Sequence, residues 1–485
     1  MVYANVFFNS ILSLFVDKPD YLSWFDRQKI IESGRIFKRE NKNMNKQINI
    51  LKRAIALTFG LVSVNTFASN VITPEELATL QSVSSAQVSP NGESIAFTRS
   101  VPRELYVEKD GFNWAELYLV NDKGIERPYI TGNVNVKHIE WSKDGATIYF
   151  LAKMGKDKFT SLYQIAKDGG QAQKVFSLDG TSVSDYSISP DNKQIAILAK
   201  PAKDKSVKKL KELGFKAEVY EENLVDQQLY IVDLKASEKA LKPEAWDIKG
   251  HVSDVHWSPK GDSLLVKTQP TSLIDDRYTK SQWHIVNADK KAVVTSFSTE
   301  GKLGGAEFSY DGKYVAILGA EDKHDPATGR LFLANVKSGK VTDWLPNHMG
   351  HVADFEWAND ENTLYFITNI DTQSVVAKIK PNKTKYKTVV KGGKFIASNL
   401  SISDSDKTIV LRGHTEKHPN EVYMLRGSKY KATRLTNSNE WLDEKDFGKQ
   451  ESISFKASDG VEIGGVLIYP IGYEKGKRYP LIMSV

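Results

Sequence analysis

The candidate nucleophile that recurs most often in this chain is serine. It recurs near the middle of seven related stretches, and the residues at that place are Ser89, Ser142, Ser189, Ser258, Ser309, Ala358 and Ser403. A serine becomes a nucleophile when a histidine takes its proton and an acid orients that histidine. No Gly-x-Ser-x-Gly or His-Gly-Gly segment occurs in the chain. The surrounding pattern is Ser-Pro-Asp/Asn-Gly or a degraded form of it, which predicts tight turns rather than nucleophiles.

Two histidines and a pair of glutamates are the remaining candidates for a binding site. His251 and His351 each open a repeat in a Gly-His-Val segment, which invites a metal interpretation. They lie 100 residues apart in different repeats without a carboxylate cluster, which favours a structural role. Glu221 and Glu222 could bind a substrate amine by ion pairing, although an ordinary exposed edge is favoured. The sequence therefore assigns no catalytic, cofactor-binding or metal-binding residue.

The seven stretches also predict the elements that would position any site. Their anchor residues are separated by 53, 47, 69, 51, 49 and 45 residues. Each stretch has an alternating strand, the turn, a second apolar strand, a third strand and a weaker fourth strand, as at 340–346. Third strands are predicted at 116–121, 161–166, 228–233, 282–287 and 330–335. Four strands in about 50 residues fit a propeller blade, so we predict an all-β fold with a seven-bladed β-propeller at 72–445.

The longest spacing contains an insertion, 201–227, whose first half is rich in lysine. Acidic residues follow at once and no basic stripe continues, so a solvated loop or short helix is predicted rather than a nucleic-acid surface. The net charge of +6 agrees, because residues 1–68 contribute +5 of it. The chain has no cysteine, which excludes disulfides, thiol nucleophiles and cysteine metal sites.

The N-terminal part contains the pattern of an export signal, which begins at Met44 rather than at the first residue. From Met44, a basic stretch is followed by an apolar segment, Ala54 to Val64, and by a small residue at a plausible cleavage point, Ala68. Eleven apolar residues are too few to span a bilayer, which needs about 20. We interpret 44–68 as a signal peptide and 1–43 as a non-native upstream extension. The protein is then exported, either periplasmic or secreted, with no stable membrane insertion.

The character of the chain changes after the last repeat. Two alternating strands flank Asp459-Gly460, a strong hairpin signal, and the apolar run Pro480 to Val485 then predicts the opening of a buried strand. A hairpin and one strand cannot form an independent core. We therefore expect 450–485 to be the start of an incomplete α/β domain, and the chain to be a fragment.

These features resemble the prolyl oligopeptidase family of serine peptidases, in particular its acylaminoacyl-peptidase and dipeptidyl-peptidase-like branch. The resemblance covers 72–485: the Thr-Pro-Glu-Glu segment at 73–76, the seven repeats, FKASDGVEIGGVLIYP at 455–470 and GYEKGKRYPLI at 472–482. It implies a propeller that caps an α/β-hydrolase domain and restricts access to short peptides. The Ser, Asp and His of the triad would lie beyond Val485, so this chain is expected to be inactive. No metal or cofactor is implied.

Two other functions are compatible with a propeller. One is a non-catalytic periplasmic propeller that binds protein partners, against which the unfinished apolar strand argues. The other is a sugar-processing propeller, which would need paired carboxylates aimed into a central pocket. The oligomeric state is open, although the unfinished strand predicts association through an exposed edge.

Overall fold

The structure of this protein is a computed structural model. Its blades are built around the repeated turn. The structure describes residues 70–485 except 203, 218, 220, 223, 235–242, 360–361, 394, 405–407, 428 and 485. The predicted extension 1–43 and signal peptide 44–68 lie outside the described residues. The described residues belong to one compact unit, Asn70–Val485.

The turns are closed by their own serine in every repeat but the sixth, which has Ala358 at this place, and a residue with positive φ follows in the first six repeats. In the first repeat, Ser89 Oγ donates to Asn91 Oδ1 at 2.7 Å and accepts the N–H of Ser94 at 3.0 Å. Gly92 follows at φ 77°, a backbone conformation that glycine adopts without strain. The third repeat has Asn192 at this place with φ 54°, which an asparagine tolerates better than most residues.

The strands form antiparallel sheets in chain order, each with its first strand at one edge. Blade 1 contains β1 (Ser82–Val88), β2 (Ser94–Val101), β3 (Trp114–Asn121) and β4 (Glu126–Ile130). Blade 2 contains β5 (Lys137–Trp141), β6 (Thr147–Ala152), β7 (Ser161–Ala166) and β8 (Gln173–Phe176). Blade 3 has three described strands, β9 (Val183–Ile188), β10 (Gln194–Ala199) and β11 (Gln228–Asp233).

The other four blades each have four strands. Blade 4 contains β12 (His251–Trp257), β13 (Ser263–Gln269), β14 (Gln282–Asn287) and β15 (Ala292–Phe297). Blade 5 contains β16 (Leu303–Phe308), β17 (Tyr314–Gly319), β18 (Arg330–Asn335) and β19 (Val341–Asp343). Blade 6 contains β20 (His351–Trp357), β21 (Leu364–Ile370), β22 (Gln373–Ile379) and β23 (Lys387–Val390). Blade 7 contains β24 (Ile396–Ile402), β25 (Thr408–Thr415), β26 (His418–Arg426) and β27 (Lys431–Arg434).

Helices are few in the part of the chain that the structure describes. They are α1 (Pro74–Leu77), α2 (Lys205–Glu212), α3 (Ile274–Thr279) and a 3-10 helix at Glu440–Glu444. The longest, α2, has 8 residues and lies in the lysine-rich insertion, so none of the described helices is long enough to cross a bilayer. A hairpin of β28 (Gln450–Lys456) and β29 (Glu462–Ile468) follows the last blade.

Hydrophobic packing occurs between blades rather than within them. Seven clusters of buried residues are present, and each combines side chains of two neighbouring blades. Trp283 of blade 4, for example, is fully buried in one cluster with Phe308 and Ile317 of blade 5. A blade therefore buries both faces only when it has a neighbour on each side, as expected for a propeller.

The circle closes between blade 7 and blade 1, a contact that we call the seam. The N–H of Ala86 donates to Asn399 Oδ1 at 2.8 Å, and the N–H of Val88 donates to Ser401 Oγ at 3.1 Å. Every described blade is built from consecutive strands, so no described strand is shared across the seam. Side chains therefore close the ring where a shared strand is absent.

The structure confirms the predicted all-β fold and the seven blades. The predicted third strands coincide with, or lie within, β3, β7, β11, β14 and β18. The predicted hairpin is present around Asp459-Gly460, and Gly460 has φ 87°. The predicted strand at Pro480 to Val485 is wrong for residues 480–484, which are irregular and exposed because no described strand lies beside them.

Candidate functional site

The inner edges of the seven blades carry polar or charged side chains at one repeated position. This position precedes the last residue of each first strand. We call the set the inner belt: Gln87, Glu140, Ser187, His256, Glu307, Glu356 and Ser401. First strands are edge strands, so their outward N–H groups have no partner within their own sheet.

Side chains of the inner belt supply acceptors for these unpaired N–H groups. Glu140 of blade 2 accepts the N–H of Ile188 of blade 3 at 3.3 Å. Glu307 of blade 5 accepts the N–H of Trp357 of blade 6 at 3.3 Å, and its carbonyl oxygen accepts the indole N–H of Trp357 at 3.1 Å. A backbone N–H left unpaired in such a place would be costly, so the belt stabilises the contacts between blades.

Two histidines form ion pairs with carboxylates along this inner edge. His138 contacts Asp185, and His256 Nε2 lies 3.0 Å from Asp254. Burial alone would lower the pKa of His256, but the Asp254 carboxylate more than offsets it and raises this pKa to about 9. Glu140 differs, because burial raises its pKa to about 7 and its Oε2 has no hydrogen-bond partner among the described residues.

Three further carboxyl groups cluster on blades 5 and 6, and we call Glu307, Asp354 and Glu356 the acidic arc. Burial raises the pKa of each, and in Glu356 the nearby Glu307 carboxylate raises it further. Among the described residues, none of the three forms an ion pair. The basic groups that act on them are engaged elsewhere, since His256 is paired with Asp254 at 3.0 Å and Arg412 donates to Ser398 Oγ at 3.1 Å.

The chain enters and leaves the propeller at adjacent places. The N–H of Asp446 donates to the carbonyl oxygen of Asn70 at 3.0 Å, and Lys445 Nζ lies 2.6 Å from Glu76 Oε1. Glu76 also closes a capping box with Thr73 at the start of α1. The segment before blade 1 is therefore clamped to the segment after blade 7.

The hairpin that follows presents an apolar surface to solvent. Phe455 is 51% exposed, and its cross-strand partner Ile463 is also exposed. The hairpin lies against blade 6, where Ser452 Oγ is 2.8 Å from Thr372 Oγ1. Contiguous exposed apolar side chains of this kind are unusual in a soluble monomer.

A shallow cavity of about 380 Å³ lies on blade 5. Its wall includes Glu321 and Asp343, and both carboxylates face the guanidinium of Arg330, at 2.6 Å and 3.8 Å. The guanidinium of Arg330 thus offsets the charge of these two carboxylates. The cavity contains no nucleophile with an adjacent base, and it suggests no chemistry of its own.

The structure shows the serines of the repeats as buried turn residues. Ser142 Oγ donates to Asp144 at 2.6 Å and accepts the N–H of Thr147 at 2.9 Å. Ser309 makes the same two bonds with Asp311 and Tyr314. Their hydroxyl groups are occupied by the turn, and none of these bonds involves a histidine among the described residues, so they lack the partners of a nucleophile.

The other sequence candidates are separate from each other and from the inner belt. His251 Nδ1 accepts the N–H of Gln227 at 3.2 Å, and His351 Nδ1 accepts the N–H of Gly329 at 2.8 Å. Each histidine thus holds the loop that precedes it. Glu221 and Glu222 are exposed on the insertion. Among the described residues, no group of three His, Asp or Glu side chains is arranged to hold a metal ion.

Comparison with known proteins finds that this chain is similar to peptidases. Dipeptidyl-peptidase 5 of Porphyromonas gingivalis is 24% identical over 91% of this chain and 67% of its own length. The uncharacterized peptidase YuxL of Bacillus subtilis is 23% identical over 86% of this chain and 66% of its own length. The chain thus spans about two thirds of the length of these relatives. No protein-family model matches it.

Solved structures show the same fold. The acylaminoacyl peptidase of Pyrococcus horikoshii has a TM-score of 0.63 and 15% identity, covering 83% of this chain and 60% of that one. The propeller domain of the Trilobed protease from Pyrococcus furiosus, described as having an open velcro topology, has a TM-score of 0.52 and 15% identity. It covers 74% of this chain and 99% of that one.

This chain has the fold of the propeller domains of such peptidases, and its sequence is similar to those of dipeptidyl-peptidase 5 and YuxL. The family resemblance of the repeats and the tail is thereby confirmed. The inner belt of this propeller domain was not predicted from the sequence. The sequence does contain one indication of the inner belt: a polar residue directly precedes Trp141, Trp257 and Trp357 in three first strands. Strand alternation alone does not reveal that such a residue bonds to the next blade.

Proposed function

We propose that this chain is the substrate-gating propeller of an exported serine peptidase that hydrolyses peptide bonds of short peptides. The support is the similarity to dipeptidyl-peptidase 5, which extends over 91% of this chain, while a third of that relative has no counterpart here. The Ser, Asp and His of the triad are proposed to lie beyond Val485. Residues 1–485 alone are then inactive, and a complete α/β-hydrolase domain begins at 450.

The observation that carries the proposal is the exposed apolar hairpin. Phe455, Ile463 and Ile468 are exposed on two strands that have no core of their own. An α/β domain that continues from 480–484 would cover this surface and supply a neighbour for the apolar run. A propeller that only binds partners has no need of such a hairpin, which makes the binding-module function the weaker candidate.

In this proposal the triad beyond Val485 performs the chemistry, and the propeller controls which substrates reach it. The serine would attack the peptide carbonyl while histidine takes its proton, backbone N–H groups would hold the oxyanion, and water would then release the product. The ring of blades would exclude large folded proteins. Export would follow from cleavage of 44–68 after Ala68, and residues 1–43 would have no function.

The test is to read the gene beyond the codon for Val485 and to assay two purified products. We expect a frame that encodes His-Gly-Gly, Gly-x-Ser-x-Gly, Asp and His, and a longer product that cleaves chromogenic dipeptidyl substrates. Replacing the serine of the elbow by alanine should abolish cleavage, and residues 1–485 should show none. Cleavage by 1–485 that an active-site serine reagent blocks would refute the assignment of the triad. A stop codon at 486 would instead favour the partner-binding propeller.

A further inference from the structure

The exposed apolar side chains of the propeller are unevenly divided between its two faces. Because the strands of each blade are antiparallel and in chain order, the connections between second and third strands all lie on one face of the ring. The hairpin lies on this face, since Ser452 contacts Thr372 in the second-to-third turn of blade 6, and we call it the hairpin face. In the described turns of the opposite face, only two large apolar side chains are exposed, Ile125 and Tyr310.

Exposed aromatic residues occur in the second-to-third connection of each of blades 1 to 4. They are Tyr106, Phe112, Phe159, Phe215 and Tyr278. The corresponding connections of blades 5, 6 and 7, at 320–329, 371–372 and 416–417, contain no Phe, Tyr or Trp. The aromatic residues therefore border the part of the hairpin face that lies away from the hairpin itself.

The connection of blade 1, residues 102–113, is fixed by polar side chains of its own. The guanidinium carbon of Arg103 lies 4.0 Å from the ring centroid of Trp114, and its Nε donates to the carbonyl oxygen of Phe112 at 2.9 Å. Glu108 accepts the indole N–H of Trp114 at 3.0 Å and a backbone N–H of the same connection at 2.8 Å. Arg103 and Glu108 thus hold the connection in one conformation.

Two aromatic side chains project from this connection into solvent. Tyr106 and Phe112 are each 95% exposed. Tyr106 has φ 64°, which is rare for a bulky residue and persists only where the surrounding structure enforces it. Aromatic rings on a preorganised backbone lose little conformational freedom when they bind, and they gain most from burial against apolar groups. The two rings are therefore suited to apolar side chains of a ligand.

We propose that the connection 102–113 binds apolar side chains of short peptides through Tyr106 and Phe112. The inference rests on the proposed function, because a domain that continues from the hairpin would enclose the space beside this connection. Such a domain approaches the ring most closely at blades 6 and 7, where the turns 371–372 and 416–417 are short. The longer connection of blade 1 then stands beside the enclosed space, where a peptide reaches it. Peptides with apolar side chains are the substrate class that this surface selects.

Fluorescence anisotropy with the chain of 485 residues tests this binding without any hydrolysis. The probes are the fluorescein-labelled peptides Gly-Phe-Leu-Phe and Gly-Ser-Gly-Ser. We expect a Kd that is lower by about tenfold or more for the apolar peptide, because its side chains are buried against the two rings. The variant Tyr106→Asn/Phe112→Ser removes both rings, keeps a residue that tolerates positive φ at 106, and should bring the two Kd values within twofold. Ile125→Ser, an exposed apolar residue on the opposite face of blade 1, is the matched control and should retain the preference.

Several outcomes would overturn the assignment of this surface. Equal affinity of the unmodified chain for the two peptides would refute it outright. A preference that persists in the double variant would assign the binding to another surface, such as the apolar hairpin. Self-association that the double variant abolishes, without a peptide preference, would make a second copy of the chain the occupant. If the double variant does not fold, Phe112→Ser is used alone, and it must at least halve the ratio of the two Kd values.

The same assay with the longer product separates a peptide from the α/β domain as the occupant of the surface. We expect the longer product to keep the preference for the apolar peptide. Loss of the preference there, with retention in residues 1–485, would show that the domain itself covers the rings. A stop codon at 486 would refute the peptidase assignment alone, because the peptide preference of residues 1–485 is measured without a triad.

Discussion

The seam and the acidic arc connect neighbouring blades through the same kind of donor but with different acceptors. At the seam, the N–H groups of Ala86 and Val88 donate to an asparagine and a serine. At the acidic arc, the N–H groups of Trp357 and Leu400 donate to carboxyl groups. Neutral acceptors work at every pH, whereas carboxyl groups add charge when they ionise. The two regions thus have the same geometry but a different response to pH.

The largest effect on stability is expected from truncating the apolar residue that ends the first strand of a blade. Trp357→Ala, beside the acidic arc, removes a buried indole that donates to Glu307 and lies 5.8 Å from the ring of Trp344. We expect the free energy of unfolding to fall by about 3–5 kcal/mol. The matched change at the seam, Val88→Ala, should cost about 2 kcal/mol because fewer atoms are removed. Urea unfolding measures both, and equal losses would contradict the comparison.

The second prediction concerns pH and the belt residues of blades 2 and 4. Folding raises the pKa of Glu140 from 4.5 to about 7 and that of His256 from 6.5 to about 9. The folded state therefore binds these protons more tightly, so the free energy of unfolding falls as pH rises from about 4.5 to about 9. Glu140→Gln should remove a contribution of at most about 3 kcal/mol, between about pH 4.5 and 7. Calorimetry across pH 5.5 to 9 tests this, and stability that rises with pH in the wild type would contradict it.

The third prediction concerns a hydrogen bond at the seam, whose contribution to stability should not depend on pH. Ser401 is buried, and its hydroxyl accepts the N–H of Val88 and donates to Gln87 Oε1 at 3.0 Å. Ser401→Ala leaves that N–H unpaired and should cost about 1–2 kcal/mol. Because no titrating group is involved, the cost should be the same at pH 6 and pH 9. Urea unfolding at both pH values checks this, and a loss that grows with pH would show that the seam also titrates.

The smallest effect is expected where the seam reaches solvent. Arg426 bonds to Asp122 at 2.7 Å and to the carbonyl oxygen of Gly92 at 2.8 Å, but its side chain is 39% exposed. Arg426→Gln should therefore cost about 1 kcal/mol or less, and less still at high salt. Exposed Lys417→Gln is the control, with no measurable change expected. Thermal unfolding at low and high salt distinguishes a screened surface pair from a structural one.

The fold was predictable because its determinants are local. Ser89, Pro90 and Gly92 specify a turn within four residues, and the strands around it alternate with period two. Repetition of this pattern then requires neighbours on both faces of each blade. The same reasoning failed at 480–484, because a buried strand forms only when adjacent strands exist to pair with it.

The inner belt was not predictable in this way. Glu140, His256 and Glu356 each look like the polar half of an alternating strand. The roles of Glu140 and Glu356 depend on the distance to a backbone N–H 48 and 46 residues away in the next blade, and only the closed ring sets these distances. His256 instead pairs with Asp254 of its own strand. Nothing in the local pattern separates a solvated glutamate from one that bridges two blades.

The sequence by itself determined the number of blades, their strands and the peptidase family that the chain resembles. Turn residues and hydrophobic alternation act over a few residues and repeat along the chain, so the strands and blades can be predicted directly from the sequence. The tertiary structure alone decided which acceptor meets which N–H at the inner edges, and which carboxyl groups lie without a cation. Closing the ring places residues such as Val88 and Ser401, more than 300 positions apart, within 3.1 Å. Hydrogen bonds and Coulomb interactions depend on distance in space rather than on distance along the chain.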